Sequence, residues 1–264
     1  METRHYKHAL AACMLLIAAM AHAAQTPLKT SGDFSIEVKA SAAEQFAYAS
    51  RLTANSTDLS ERNIAVLQSV AALEVIPRHW PTERALALRA YRQMVACLAG
   101  ARLHGNAIAV CDKAIAFADK SPMASVFLAA KGRSLMWLGR SDEARAAFDR
   151  ATTGDFNRLD DFDKNAVLID AVFFYERSKD LAAAAKHARA RAKVTGSEFG
   201  RAEALRKAVE LSMQADDHAS AKADMAGLSD AAQNARMHAL TPEESEVLRR
   251  IDTEIAQYRK KLGM

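Results

Sequence analysis

The sequence has few of the residues that interrupt a helix. Glycine occupies 10 of the 264 positions and proline five, whereas alanine is frequent along the whole chain. Because glycine and proline mark turns and linkers, their scarcity excludes a long linker between domains. Aromatic residues are also sparse, at 6%, and small side chains in their place favour closely packed helices. These absences predict an all-α chain.

Residues that carry chemistry are equally scarce. Three cysteines and eight histidines are present, without a Cys-x-x-Cys or His-x-x-x-His spacing that would cluster metal ligands. Gly139-Arg-Ser141 lacks the second glycine of a nucleophile elbow. Gly100 and Gly105 have the outer spacing of a phosphate loop, but the Lys-Ser or Lys-Thr that should follow is missing. We therefore predict no catalytic, cofactor-binding or metal site, and no enzyme activity.

Neither sign of charge dominates the chain. It has 36 basic and 32 acidic residues, a formal net charge of +4. A dedicated nucleic-acid binder concentrates basic residues, so this balance argues against a nucleic-acid partner.

The N-terminus has the pattern of a secretory signal peptide. Arg4 and Lys7 precede the apolar run Ala9 to Met20, and small residues at positions 21 and 23 suit a signal peptidase. The run is shorter than the ~20 residues that span a bilayer, which disfavours a retained anchor. Cys13 resembles a lipoprotein cysteine, but the hydrophobic stretch follows it instead of preceding it. We predict a signal peptide over 1–23, no transmembrane segment in the mature form, and a periplasmic or secreted location.

The clearest structural pattern lies in residues 128–151. Gly132 and Ala144 lack bulk, so two antiparallel helix backbones can approach each other there. Between them, Gly139 accepts the left-handed conformation that ends a helix. The stretch resembles the tetratricopeptide repeat, a helix-turn-helix unit of ~34 residues. The positions that carry this resemblance are Gly132, Leu135, Gly139, Ala144, Phe148 and Ala151.

Neighbouring segments repeat the hairpin pattern less clearly. A turn is predicted at His104-Gly105-Asn106, after which Ala107, Cys111 and Ala114 recur at the spacing of Ala144, Phe148 and Ala151. Two more candidate pairs follow, 161–177 with 180–193 and 197–214 with 217–227. The resemblance implies a right-handed superhelix of stacked antiparallel hairpins, a TPR-like α-solenoid, forming a single domain over 41–264.

Two helix starts and one extended segment complete the outline. Ser121-Pro122 and Thr241-Pro242 each place a capping hydroxyl before a proline, and Glu244 completes a capping box with Thr241. Before the first helix, Phe34, Ile36 and Val38 alternate with polar residues. We expect an extended or flexible arm over 24–40, with a small strand pair or a disordered leader as the alternatives.

Cys97 and Cys111 lie at similar distances from the predicted turn at 104–106. An oxidising compartment would allow them to pair across the hairpin, closing a loop worth ~3 kcal/mol in the chain-entropy model. The alternative is that both are small apolar residues in a helix interface, without disulfide geometry.

Two further features lie in the third pair, 161–177 with 180–193. Lys186, Arg189 and Lys193 fall on one helical face and predict a groove for an anionic partner, unless they form an ordinary solvated face. The run Phe173-Phe174-Tyr175 cannot share one face, since consecutive helical residues point ~100° apart. We interpret this run as the core of a helix covered on several sides.

The resemblance implies binding, because the repeat is an interaction scaffold without chemistry of its own. We expect an exported, non-enzymatic scaffold or adaptor whose groove holds a protein or peptide, such as an envelope component. Two alternatives stay open: a helical enzyme or enzyme subunit with a cleft invisible from the sequence, and a self-associating structural bundle.

Overall fold

The structure of the protein, a computed structural model, describes residues 34–52, 59–238 and 241–264. The predicted signal peptide and the first part of the predicted arm lie outside these residues. Within them the chain forms eleven α-helices and a short 3₁₀ helix at Gly154–Arg158, with no strand. Consecutive helices pack against each other, so the prediction of an all-α, solenoid-like fold is confirmed.

We number the α-helices in chain order. They are α1 (Ala42–Leu52), α2 (Leu59–His79), α3 (Arg84–Gly100), α4 (His104–Ala118), α5 (Met123–Trp137), α6 (Ser141–Ala151), α7 (Asp161–Arg177), α8 (Leu181–Ala192), α9 (Glu198–Gln214), α10 (His218–Ala235) and α11 (Pro242–Leu262).

The contacts divide the chain into two compact units, which meet in sequence between Ala147 and Phe148. In unit 1, helices α1 to α5 pack in order around a core that includes Leu73, Met94 and Phe127. In unit 2, helices α7 to α11 pack in order, with a core of alanines and larger residues such as Met225. Each unit thus buries a stripe of small and large apolar residues between successive helices.

Four hairpin turns share one backbone geometry. In each, the second residue after the helix end has a positive φ, and the N–H of the following residue donates to a carbonyl five residues earlier, which is the Schellman motif. The positive-φ residues are Arg102, Gly139, Lys179 and Asp216. The closing bonds run from Leu103 to Leu98, Arg140 to Leu135, Asp180 to Tyr175 and Asp217 to Ser212, at 2.8–3.0 Å.

The burial pattern repeats with these turns. The fifth residue after each positive-φ position is an alanine without solvent exposure: Ala107, Ala144, Ala184 and Ala221. Small side chains therefore lie at matching places in all four hairpins, as the resemblance implies for two of them. The helix ranges of the third pair agree with the prediction, whereas the second helix of the fourth pair continues to Ala235.

The predicted turn at 104–106 is wrong. The turn spans 101–103, and α4 begins at His104, so that Gly105 and Asn106 are buried in its first turn. The prediction placed the turn at a glycine, but Arg102 adopts the left-handed conformation instead, with φ of 59°. Closure of the turn by backbone hydrogen bonds offsets the cost of that conformation for a residue with a Cβ.

Both predicted helix starts are confirmed, but the predicted cap at Ser121 is wrong. Helix α5 begins at Met123, and Pro122 instead of Ser121 is its N-cap residue, without a side-chain capping hydrogen bond. Ser121 Oγ accepts from the N–H of Met123 at 3.3 Å. At α11, Thr241 Oγ1 accepts from the N–H of Glu244 at 3.2 Å, and Glu244 Oε2 accepts from the N–H of Thr241 at 2.8 Å. This capping box satisfies two of the donors that a helix N-terminus leaves open.

The described part of the predicted arm, residues 34–40, has no regular secondary structure. Ile36 packs against the core of unit 1, and the N–H of Lys39 donates to Gln45 Oε1 at 2.8 Å. The ammonium of Lys39 also lies 4.8 Å from the centre of the Tyr48 ring. These contacts attach the segment to helix α1.

Candidate functional site

The predicted anionic-partner groove does not form as a set of three exposed cations. Lys186 and Lys193 are exposed, but Arg189 is only half-exposed and binds inside unit 2. Its Nε donates to Asp224 Oδ2 at 2.8 Å and its Nη2 to Ser212 Oγ at 2.6 Å. Arg189 thus joins α8 to α9 and α10, and the groove stays a prediction for the two lysines.

The disulfide weighed above for Cys97 and Cys111 is not formed in the structure, where both are free thiols. Cys111 is buried in the core of unit 1, and burial raises its pKa to about 12. Cys97 is half-buried, accepts a weak hydrogen bond from Gln93 Nε2, and has its pKa raised by burial. Both residues serve as small apolar packing groups, the alternative left open by the sequence.

The aromatic run on α7 divides between core and surface. Phe174 and Tyr175 are buried, 2% and 1% exposed, as the core interpretation requires. For Phe173 that interpretation is wrong, because 45% of the residue is exposed. Ile169, one helical turn earlier on the same face, is 42% exposed. Large apolar side chains exposed side by side are typical of binding surfaces.

Phe173 and Ile169 line a cavity of about 240 Å³ between helices of unit 2. A second cavity, of about 510 Å³, shares Arg206 with the first and extends to Tyr258 and Lys261 on α11. We call the two together the unit 2 groove. Its remaining walls include Val172, Glu176, Ala188, Arg191, Glu203, Lys207, Glu210, Met213, Gln214, Glu254 and Gln257.

Charged side chains form a network along this groove. Lys207 Nζ donates to Glu176 Oε1 at 2.6 Å and contacts Glu210 at 3.3 Å. Arg206 Nη1 lies 3.5 Å from Glu210 and 3.3 Å from Glu254. The network links α7, α9 and α11 with both signs of charge. An apolar floor beside paired charges suits a peptide, which carries apolar side chains and backbone polar groups.

Unit 1 has a cavity of a different character. It measures about 680 Å³ and is lined by Ala85, Leu88, Arg89, Arg92, Gln93, Ala96 and Met123. We call it the unit 1 cavity. Apolar groups form much of its lining, and among the described residues that line it the charged ones are Arg89 and Arg92, with no acidic residue. The guanidinium of Arg89 lies 4.7 Å from the centre of the Phe46 ring, a cation–π contact with α1.

The sequence interpretation missed both sites. A signal for the first is the pair Ile169 and Phe173, four positions apart on a helix whose other face is already filled by Leu168, Ala171 and Tyr175. A signal for the second is the exposed face of α3, where Arg89 and Arg92 fall between alanines.

In the described ranges, no group of three or more histidine, cysteine, aspartate or glutamate side chains is placed to hold a metal ion. The helices of the same ranges are all too short or too polar to cross a bilayer. Compared with known proteins, the chain matches no protein-family model and no curated protein significantly.

Proposed function

We propose that this chain is a non-enzymatic scaffold that binds a protein or peptide segment in the unit 2 groove. The observation that carries the proposal is the exposure of Ile169 and Phe173 at the floor of a cavity. Burying such side chains against a partner gains roughly 25 cal/mol per Å² of apolar surface, which gives them a share of binding energy typical of interface anchors.

The charged walls support the same proposal. Lys207 pairs with both Glu176 and Glu210, and all three side chains are no more than a third exposed. Paired charges beside an apolar surface contribute more to the orientation of a bound partner than to its affinity. A bound segment would therefore be recognised by its apolar side chains first and its charges second.

We also propose the compartment in which the protein acts. The pattern Arg4, Lys7 and the apolar run Ala9 to Met20 supports export to the periplasm or the exterior. The hairpin motif around Gly139 and its neighbours supports a TPR-like scaffold, whose stacked hairpins present a binding groove. Neither feature names the molecule bound.

A displayed library of random peptides, selected on the purified full chain, tests the proposal. Selected peptides are labelled and titrated by fluorescence anisotropy. Phe173→Ala should weaken the binding of apolar peptides about tenfold, since tenfold corresponds to 1.4 kcal/mol. The matched control is Phe162→Ala on the same helix, where Phe162 is 74% exposed but outside the groove lining.

We expect Phe162→Ala to bind as the unchanged chain does. A selection that enriches no peptide, or affinities that are insensitive to Phe173→Ala, would contradict the proposal.

A further inference from the structure

The two cavities of the unit 2 groove meet at Arg206. Of the described residues that line them, Arg206 is the one that both cavities share. Its side chain is 22% exposed, and its Nη1 lies 3.5 Å from Glu210 of the same helix and 3.3 Å from Glu254 of α11. Two carboxylates thus hold the guanidinium, and the apolar stem of the arginine lies between the cavities.

The smaller cavity has the lining of a pocket for one apolar side chain. Its apolar lining residues are Ile169, Val172, Phe173 and Ala188. Its volume of about 240 Å³ is below the roughly 300–1,000 Å³ of sites that enclose a drug-sized ligand. A single side chain that packs on Ile169 and Phe173 would cover the surface that these two residues expose.

The larger cavity favours an aromatic side chain. It is lined by Met213 and Tyr258, which are both partly buried against the core of unit 2. A thioether and a tyrosine ring each make favourable contacts with an aromatic ring. Gln214 and Gln257 also line this cavity, and their amide groups can donate to or accept from a peptide backbone.

The two cavities follow one face of helix α9. The lining residues of this helix share that face: Glu203, Arg206, Lys207, Glu210, Met213 and Gln214. The residues of the two cavities are centred about five positions apart, which is ~8 Å along a helix that rises 1.5 Å per residue. In an extended segment, side chains at i and i+2 point to the same side, ~7 Å apart. Two side chains with one residue between them therefore fit the groove.

The charges of the lining balance each other. Among the described residues that line the groove, the four cations and the four carboxylates are Arg191, Arg206, Lys207, Lys261, Glu176, Glu203, Glu210 and Glu254. A lining of this kind gives no net attraction to a segment of high charge of either sign. It therefore complements an uncharged segment.

From this arrangement we propose that the groove binds an uncharged segment of another protein through two apolar side chains, one on either side of Arg206, with an aromatic side chain in the larger cavity. Arg206 then determines specificity, because its stem sets the distance between the two side chains. This inference rests on the proposed peptide-binding function and names the kind of segment that is bound.

The test uses the full chain and labelled peptides that carry one leucine and one phenylalanine, separated by one, two or four serines. Two further peptides replace either the leucine or the phenylalanine with serine. Affinities are measured by fluorescence anisotropy. We expect the peptide with one intervening serine to bind at least about tenfold more tightly than every other peptide of the set.

Substitutions at Arg206 test its role as the partition. Arg206→Ala joins the two cavities and should reduce the preference for one intervening serine from about tenfold to less than about threefold. Arg206→Met keeps an apolar stem without the charge and should retain the preference. Phe173→Ala should weaken the peptide that carries both apolar residues and leave the phenylalanine-only peptide unchanged, since the phenylalanine occupies the larger cavity.

The matched control is Arg201→Ala on the same helix. Arg201 is 44% exposed, pairs with Glu198 and lies outside the lining of both cavities. This variant should show the affinities and the spacing preference of the unchanged chain. Circular dichroism on each variant shows whether the fold is retained.

Equal affinities across the spacing series would overturn the inference, as would a folded Arg206→Ala variant with the full spacing preference. Loss of the preference in Arg206→Met would overturn the role of the stem. A dimer of the chain that the peptide with both apolar residues dissociates would overturn the inference in favour of a second copy. If one apolar residue suffices and Phe173→Ala still weakens binding, the proposed function survives without this inference, whereas binding of no peptide at all removes both.

Discussion

Arg189 donates from Nε to Asp224 Oδ2 at 2.8 Å and joins helices α8 and α10 of unit 2. The Asp224 side chain is only 12% exposed, and Ser212, which accepts from the same arginine, is buried. Removing the arginine would leave a nearly buried carboxylate and a buried hydroxyl without this donor.

We predict that Arg189→Met lowers the free energy of unfolding by about 1–3 kcal/mol, measured by urea denaturation. Lys193→Met, one helical turn away and exposed, should change it by less than about 0.5 kcal/mol. If Arg189→Met and Lys193→Met had the same small effect on the free energy of unfolding, Arg189 would be a surface cation without a structural role. That is the role which the predicted anionic-partner groove requires.

The hairpin turns allow a gain of stability to be predicted. Lys179 has a φ of 63°, a conformation that is unfavourable for a residue with a Cβ. We expect Lys179→Gly to raise the free energy of unfolding by about 0.5–1 kcal/mol, because relief of this cost exceeds the added freedom of the unfolded chain. Thermal and urea unfolding would measure the change.

Lys193→Gly is the control for this effect, because Lys193 has a φ of −85° in the ordinary right-handed region. Glycine at position 193 relieves no unfavourable backbone conformation, so Lys193→Gly should not raise the free energy of unfolding. A stabilisation of both variants by the same amount would show that the backbone conformation at Lys179 is not the cause.

The imidazole of His187 makes stability depend on pH. It stacks on the Tyr175 ring, with centroids 5.2 Å apart. Burial and then Lys186 lower the pKa of His187, against an opposing effect of Asp149 and Asp180. Since the folded pKa lies below the ordinary 6.5, the unfolded chain binds more protons, and stability decreases as pH falls below about 6.5.

We predict that His187→Gln makes the free energy of unfolding less dependent on pH between 7.5 and 5. Burial also lowers the pKa of His104, so part of the dependence should remain. A His187→Gln variant with the same pH profile would contradict the assignment.

The two thiols should differ in reactivity. Because the pKa of the Cys111 thiol is raised to about 12 by burial, little thiolate forms at neutral pH. We expect a maleimide reagent to label the half-buried Cys97 much faster than Cys111 in the native chain, with both labelled after unfolding. Peptide mapping by mass spectrometry measures each site. Detection of two peptides linked by a disulfide between Cys97 and Cys111 would support the disulfide prediction.

How far the sequence predicts this structure depends on the kind of contact. Alanines and capping residues act locally, so the turn between α5 and α6 at Gly139, the helix pair α7 and α8, and the α11 capping box could be predicted from spacing alone. The turn before α4 could not, because Arg102 adopts the left-handed conformation that the sequence pattern predicts for a glycine. The backbone hydrogen bonds that close this turn do not depend on a particular side chain, so the sequence does not reveal them.

The candidate site was less predictable for a related reason. The exposed face of α7 is the one that α8 and α9 leave uncovered. Sequence periodicity shows which residues share a face of α7, but it does not show where the neighbouring helices pack. The sequence therefore predicts Phe173 to be a core residue beside Phe174 and Tyr175. Similarly, Arg189 looked like part of a cationic surface, because its partner Asp224 lies 35 positions away and belongs to another helix.

Each of the four turns closes on backbone groups within six residues, so a hairpin forms without waiting for distant parts of the chain. The entropy lost in closing such short loops is small. When the chain folds, a completed helix pair can therefore form before the rest of the chain is ordered, and the next pair can pack against it.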